Sequence, residues 1–408
     1  MNGKIAIVGA GPSGCYVAQA LLKSEPALQV DVIDALPVPY GLVRYGVAAD
    51  HQGTKAVVRQ FARIFERQGA RFFGNVRIGL DVSLNDLRQA YDVVVIAAGL
   101  SLDKKLGVEG EELPGVYGSA SLAMALHEHP DAGALPVLGA NPIIVGNGNV
   151  AIDLVRMLCK TRDEFDGSDL GAIPTAWLER NEFETITILG RSAASRAKFD
   201  ALMLRELGKL GNVQIDVIGA DHSDEPDERK RLDALADING HASGKSRVIF
   251  RFGLTPVAVE GREHVTGLRV SGTNGTETIP ASSIITAIGF ADDGALGHDE
   301  LKAAALDLEA GKLADGLFCV GWFRAGPRGA IPDSRLDAQA VAHKIIDDLA
   351  VDLGRIGGEL FEGLPGVVGF DGWQNIDAHE TSTALPNRSR KKLPTRTELL
   401  RVAKQELN

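Results

Sequence analysis

Two glycine clusters are the residues here whose types and spacing can do chemistry. The first is Gly9-Ala10-Gly11-Pro12-Ser13-Gly14. Ile5-Ala6-Ile7-Val8 precedes it and predicts a buried parallel strand, and Tyr16-Val17-Ala18-Gln19-Ala20-Leu21-Leu22 follows and predicts a helix. A further strand, Val30-Asp31-Val32-Ile33-Asp34, ends in an acid twenty residues beyond Gly14. Strand, GxGxxG, helix, strand and terminal acid is the order of a dinucleotide-binding unit. Gly9 permits the turn, and Gly11 lets the backbone approach a pyrophosphate seated on the helix N-terminus. Gly14 packs helix on strand, and the Asp34 carboxylate accepts from ribose hydroxyls.

The second cluster is Gly146-Asn147-Gly148-Asn149-Val150-Ala151, the variant with Ala at the third position. It lies between the apolar run Pro142-Ile143-Ile144-Val145 and the helical run Ile152 to Leu158. A later strand, Thr185 to Leu189, ends at Gly190-Arg191, where a basic residue suits a 2′-phosphate and an acid would suit the free hydroxyl. Two such sites in one chain imply two nucleotides brought together. The natural pairing is a flavin that stays and a nicotinamide that visits.

The elements that must position these turns follow from the rest of the chain. Strands over Tyr91–Gly99, Ser283–Gly289 and Gly316–Trp322 all end in small residues, which lets backbone pass close to a dinucleotide. Gly326 to Pro332 leads into a helix starting near Asp333 or Ser334. Residues 160–184 read as a polar, loop-like insertion. The 408 residues carry a net charge of −11, which disfavours a nucleic-acid partner. At 45 % hydrophobic the composition suits two packed domains and no disorder. No apolar run approaches the ~18 residues of a membrane span, and Ile5–Val8 is too short for a signal peptide. Cys15, Cys159 and Cys319 form no disulfide framework and no CxxC, so a cytoplasmic setting is expected. The nine histidines show no metal-site spacing, and no metal is expected.

Four segments carry a resemblance: GxGPxG at Gly9, PVPYGLVRYGVAADH at 37–51, VGNGNVAIDLVRML at 145–158 and GWFRAGPRGAI at 321–331. In these the chain resembles, over nearly its whole length, the adrenodoxin-reductase-like ferredoxin–NADP reductases, a family with bacterial members. These are FAD enzymes built like a short glutathione reductase. The resemblance implies an α/β fold of two Rossmann-type three-layer domains. Residues 1–102 and 317–408 would bind FAD and residues 103–316 would bind NAD(P)H. It implies FAD contacts at Gly9, Gly11, Ser13, Gly14, Asp34, Leu42, Val76, Trp322, Gly329 and Ile331. For the nicotinamide coenzyme it implies Asn147, Gly148, Asn149, Val150, Arg191, Ser192 and Gly329. Asp50 and His51 match catalytic positions beside the flavin, where His51 would relay the N5 proton; a buried, hydrogen-bonding histidine is the bland alternative for His51.

Three positions depart from the family pattern. Asp34 replaces a Glu, Arg191-Ser192 replaces two arginines, and Met203 replaces a Glu. The last two weaken a 2′-phosphate site, with Arg196 or Lys198 as replacements, so NADPH is expected with relaxed preference and NADH as a second donor.

The implied activity is hydride transfer from NAD(P)H to FAD N5, followed by two single-electron transfers to a 2Fe-2S ferredoxin-type partner that serves a monooxygenase or P450 chain. A flavin disulphide reductase would need a cysteine pair, which is lacking. A flavin monooxygenase component and a nucleotide-bound sensor without turnover remain as alternatives. An acidic partner would dock on Arg229-Lys230-Arg231 or on the basic tail. From residue 385 onward that tail holds Arg388, Arg390, Lys391, Lys392, Arg396, Arg401 and Lys404 against Glu398 and Glu406. A monomer is expected.

Overall fold

The computed structural model describes residues 2–327, 329 and 331–405. Arg328 and Ala330 of the GWFRAGPRGAI segment and Glu406 of the tail lie outside the described residues.

Apolar residues in the first strands alternate between two cores, which makes three layers. Ile5, Ile7, Val30 and Val32 enter one cluster, shared with Val17 and Leu21 of helix Pro12–Ser24 and with Val341 and Ile345 of helix Ile331–Asp348. Ala6, Val8 and Ile33 point the other way, towards Leu87 and Phe323. The sheet runs in the order Lys312–Ala314, Leu317–Cys319, Val93–Ile96, Lys4–Val8, Gln29–Asp34, Arg71–Gly74. Its neighbours are parallel except for the outer hairpin of Lys312–Ala314 with Leu317–Cys319. Both faces are covered, as a parallel sheet requires.

The second sheet repeats the plan. Its order is Ala242–Ser243, Val213–Ile218, Ser246–Phe252, Thr185–Gly190, Pro142–Val145, Ser283–Thr286, Val116–Gly118, and only the outermost Ala242–Ser243 is antiparallel. Ile144, Ile186 and Val248 pack under helix Asn149–Cys159. Ile143, Val145 and Leu189 pack against Val259, Leu268 and Val270 of a three-stranded antiparallel ribbon.

The chain crosses between the sheets at two adjacent places. Leu102–Asp103 pairs antiparallel with Phe290–Ala291. After that ribbon, Leu296, Leu301 and Leu308 already pack in the first sheet's core, and Lys312–Ala314 is one of its strands. The return to the first sheet therefore precedes residue 317, the boundary expected from the sequence.

Residues 160–184 are not the loop expected. They form the turn Asp163–Phe165 and the helix Ala172–Arg180, and Phe165, Leu170 and Leu178 are buried. The reason lies in the tail, which runs across this insertion. Gly167 N–H donates to the Asn387 carbonyl at 2.8 Å, and Ser389 N–H to that of Ser168 at 2.8 Å. Asp169 accepts from Lys55 at 2.8 Å and pairs with Lys392 at 3.1 Å, all three buried. Among the described residues no helix is long and apolar enough to cross a membrane.

Candidate functional site

The first glycine turn sits at the C-terminal end of Lys4–Val8. Gly9 has φ +111°, and a Cβ there would meet the Ala97 carbonyl oxygen at 2.4 Å; a Cβ on Gly14 would meet the Gly9 carbonyl at 1.9 Å. Only glycine fits either place. At Gly11 a Cβ would meet nothing within 4 Å, so this backbone faces open space at the start of helix Pro12–Ser24. That is the cradle a pyrophosphate needs. Leu42 lies beside it, because Tyr40 N–H donates to the Ala10 carbonyl at 2.8 Å and Gly41 packs on Gly11. Ser13 abuts Gly321, and the half-buried Trp322 stacks on Phe290 at 5.3 Å. Gly329, with φ +79°, precedes Ile331 and helix Ile331–Asp348.

Asp34 ends its strand beside this turn. Its carboxylate accepts from Ala10 N–H at 2.8 Å and Leu36 N–H at 2.9 Å. Burial pushes its pKa up to about 6, against the pull of these two amides and of Arg396. Val76 N–H donates to the Asp34 carbonyl at 3.0 Å. Of the FAD positions expected from the resemblance, Gly9, Gly11, Ser13, Gly14, Asp34, Leu42 and Val76 gather at this turn, and Trp322 adjoins the Gly321 that Ser13 touches. Open backbone at Gly11, a helix N-terminus and a ribose-height carboxylate fit the dinucleotide part of FAD.

The second turn has the same construction. A Cβ on Gly146, φ +128°, would meet the Ala287 carbonyl oxygen at 2.2 Å, whereas Gly148 faces open space at the start of helix Asn149–Cys159. Asn149 Oδ1 accepts from Asp200 N–H at 2.7 Å, and the Asn147 carbonyl accepts from Lys198 N–H at 3.2 Å. Asn147 Nδ2 donates to Ser192 Oγ at 3.3 Å, so Ser192 braces the turn. Val150 is half-buried behind it. Arg191 and Lys198 are exposed beside the turn, and neither side chain has a partner among the described residues. Arg196 is drawn aside towards Glu228, at 3.8 Å. Met203, where the family has a Glu, packs half-buried in the apolar core.

Between the two cradles runs a chain of charges. His51 Nε2 lies 3.1 Å from Glu206 Oε2, and its Nδ1 lies 3.7 Å from Asp153 Oδ1. Asp50 binds Arg156, with Nη2 at 3.0 Å from Oδ1, and also binds Lys160. Arg156 closes the chain on Asp153 at 3.1 Å. Asp50 and His51 belong to the segment that covers the first turn, while Asp153 and Arg156 project from the helix of the second and Lys160 follows its last turn. Gly289 also lies close to Pro327, whose Cγ a Cβ at Gly289 would meet at 3.3 Å. Two nucleotide cradles therefore face one another.

A family model described as pyridine nucleotide-disulphide oxidoreductase matches residues 3–313. The chain belongs to this family. Within it, the chain is 42 % identical to the cindoxin reductase of Citrobacter braakii, over 98 % of this chain and 91 % of that one. Identity to the mitochondrial NADPH:adrenodoxin oxidoreductase of Drosophila melanogaster is 33 %, over 98 % and 93 %. Mycobacterium tuberculosis FprA in complex with NADPH matches with a TM-score of 0.91 at 28 % identity, over 99 % of this chain and all of that one. These matches bear out the resemblance and the two-Rossmann fold.

The disulphide half of the family's description has no counterpart here. All three cysteines are free and buried in separate elements, and burial pushes the Cys159 and Cys319 thiols up to about 12. Buried, protonated thiols are unreactive.

Asp50 does not face the gap as a free acid. Its two cationic partners hold its carboxyl well below the usual range although burial opposes them. Its oxygens are taken up by Arg156 and Lys160. Sequence reading missed Asp153, Arg156, Lys160 and Glu206. The signal was present, since Asp153 and Arg156 are the charged residues of a largely apolar helix, at i,i+3 spacing, and Lys160 caps its end.

The docking segments are less free than their composition suggested. Arg229 pairs with Asp224 at 2.8 Å and Lys230 with Asp227 at 3.1 Å, while Arg231 donates to the Ser195 carbonyl at 2.8 Å. In the tail, Arg388 pairs with Asp166, Arg390 with Asp377, Lys392 with Asp169 and Arg396 with Asp131. Lys391, Arg401 and Lys404 remain exposed without an ion-pair partner among the described residues.

Proposed function

We infer that this protein is an FAD-containing reductase that takes a hydride from NADPH and delivers electrons singly to a 2Fe-2S ferredoxin-type protein. The observation that carries this reading is the pair of glycine cradles facing each other across the His51 bridge. Bound FAD supplies the conversion of a two-electron donor into one-electron deliveries. The chain's residues bind and orient. Gly11 and Gly148 admit the two pyrophosphates, and Asp34 orients the ribose of the resident nucleotide. Arg191 and Lys198 face the 2′-phosphate of the visiting one. His51, held by Glu206 and Asp153, carries an exchangeable ring proton at the junction, and Asp50 fixes Arg156 behind it.

The FAD unit comprises the first sheet, residues 1–102 with the chain from about 296 onward, and the coenzyme unit comprises the second. Since the acid pairs around Arg229-Lys230-Arg231 neutralise it, the docking reading narrows to Lys391, Arg401 and Lys404. The test is anaerobic: bound flavin must be bleached by NADPH and must then reduce a 2Fe-2S protein. Disulphide substrates must be inert.

A further inference from the structure

The two units are joined through one small ribbon, in which Leu102–Asp103 pairs with Phe290–Ala291 and Lys104 N–H donates to the Gly289 carbonyl at 3.2 Å. Two short strands side by side leave the angle between the units to be set by side chains that meet across the junction. The ribbon is tied to the coenzyme unit. Asp103 accepts from Ala120 N–H at 2.7 Å and Ser121 N–H at 3.0 Å, at the start of helix Ser119–Leu126, and Leu122 and Leu126 of that helix lie in the second core. Just before Phe290, Ala287 N–H donates to the Val145 carbonyl at 2.7 Å, and the Ala287 carbonyl lies against Gly146 of the second turn.

Trp322 is mounted on the other unit. It follows Gly321, which abuts Ser13 of the first turn, and precedes Phe323, fully buried in the first sheet's core. Its helix, Gly321–Ala325, is held at both ends: Gly321 N–H donates to Asp337 Oδ2 at 2.6 Å, and Lys302 Nζ donates to the Arg324 carbonyl at 3.0 Å. Across the junction the half-buried rings of Phe290 and Trp322 stack, with centroids 5.3 Å apart and planes 15° from parallel. The charge chain from Asp50 and His51 joins the units through long side chains, whereas this contact joins them through two flat rings on fixed backbone. Stacked rings have a narrow range of favourable offsets, so the pair resists a change of angle between the units.

We propose that Phe290 is a positioning residue for hydride transfer: its ring, seated on Trp322, sets the angle between the two units and with it the alignment of the visiting nicotinamide on the flavin. The proposal rests on the FAD and NADPH reading above. Neither glycine fingerprint reveals it, because Phe290 lies in a two-residue strand outside both turns.

Two measurements on the holoenzyme test this in wild type, Phe290→Ala, Phe290→Leu and Phe290→Tyr. The first is the distance between spin labels at Val137→Cys and Leu353→Cys, exposed positions on the coenzyme and FAD units, taken without coenzyme; the native cysteines are buried and take no label. The second is stopped-flow flavin reduction over a range of NADPH, which separates the limiting rate from the half-saturating concentration. Phe290→Ala should broaden the distance distribution and lower the limiting rate about tenfold, with half-saturation within about twofold of wild type, since alignment and not nucleotide binding is lost. Phe290→Leu, which fills the space without a flat ring, should behave alike, and Phe290→Tyr should restore both readouts. A wild-type distance distribution in Phe290→Ala overturns the proposal, as does a wild-type limiting rate. So does rescue by leucine, which means simple packing, or a change in half-saturation alone, which means a nucleotide contact. Wild-type flavin that NADPH does not bleach would instead refute the reading on which the proposal rests, and the label distances would still show whether the stack sets the angle.

Discussion

Removing the two free cations beside the second glycine turn should erase the preference for NADPH over NADH. Arg191 follows the strand Thr185–Gly190, and Lys198 is tied by its own N–H to the Asn147 carbonyl, so both side chains start at the turn. Ser192 is committed to Asn147 and Arg196 leans on Glu228, which leaves Arg191 and Lys198 to meet a 2′-phosphate. A charge-assisted hydrogen bond contributes about 1.5–3 kcal/mol, and each ~1.4 kcal/mol is tenfold. Both groups are exposed and screened, so the lower limit applies, roughly tenfold for each. Arg191→Ala and Lys198→Ala should each raise KM for NADPH about tenfold, and together about a hundredfold. KM for NADH should move less than about twofold throughout, because NADH lacks the phosphate. Steady-state ferricyanide reduction over a range of each coenzyme measures this directly. Equal losses with NADPH and NADH would refute the reasoning, as would an unchanged KM for NADPH in the double variant.

Other outcomes follow from the bridge and the surface. His51→Gln should keep flavin reduction by NADPH within about tenfold of wild type in stopped flow, because the cofactors carry the hydride chemistry; a loss of about a thousandfold or more would make His51 an acid–base catalyst. Asp50→Asn takes one of its two close carboxylate partners from the buried Arg156, leaving Asp153, and should destabilise the protein by about 2 kcal/mol in calorimetry. The folded-state pKa of Asp50 lies below its ordinary 3.8, so its contribution is present above that pH and lost as the pH falls below it. The stability gap between wild type and Asp50→Asn should therefore close in acid. Charge reversal of Lys391, Arg401 and Lys404 should raise KM for a 2Fe-2S partner and leave ferricyanide reduction unchanged. Arg229→Glu should leave both unchanged, since Arg229 already faces Asp224.

Local patterns told most about the fold. Each glycine turn, its strand and its helix are contiguous, so Gly9–Gly14 and Gly146–Ala151 were readable as cradles without any tertiary information. Contacts distant in sequence were not readable. The insertion at 160–184 reads as polar because the distant partners of its buried Ser168 and Asp169 lie in the tail, at Lys55 and at Ala49. For the same reason the tail looked like a docking patch. Its cations are charges to the eye, but Arg388, Lys392 and Arg396 are spent on acids far away in sequence, and Arg390 on Asp377 of the preceding helix. Met203 stands where the family pattern has a carboxylate. One turn further along the same helix, Glu206 is the carboxylate that meets His51.

The central claim is that two facing cradles pass electrons from NADPH through FAD to a one-electron carrier. Anaerobic titration of the holoenzyme with NADPH in the presence of excess oxidised 2Fe-2S ferredoxin tests it most directly. The account predicts that each NADPH reduces two iron–sulfur centres and that the flavin bleaches when the ferredoxin is left out. A yellow protein that NADPH does not bleach, or a bleached one that reduces no 2Fe-2S centre, would contradict it.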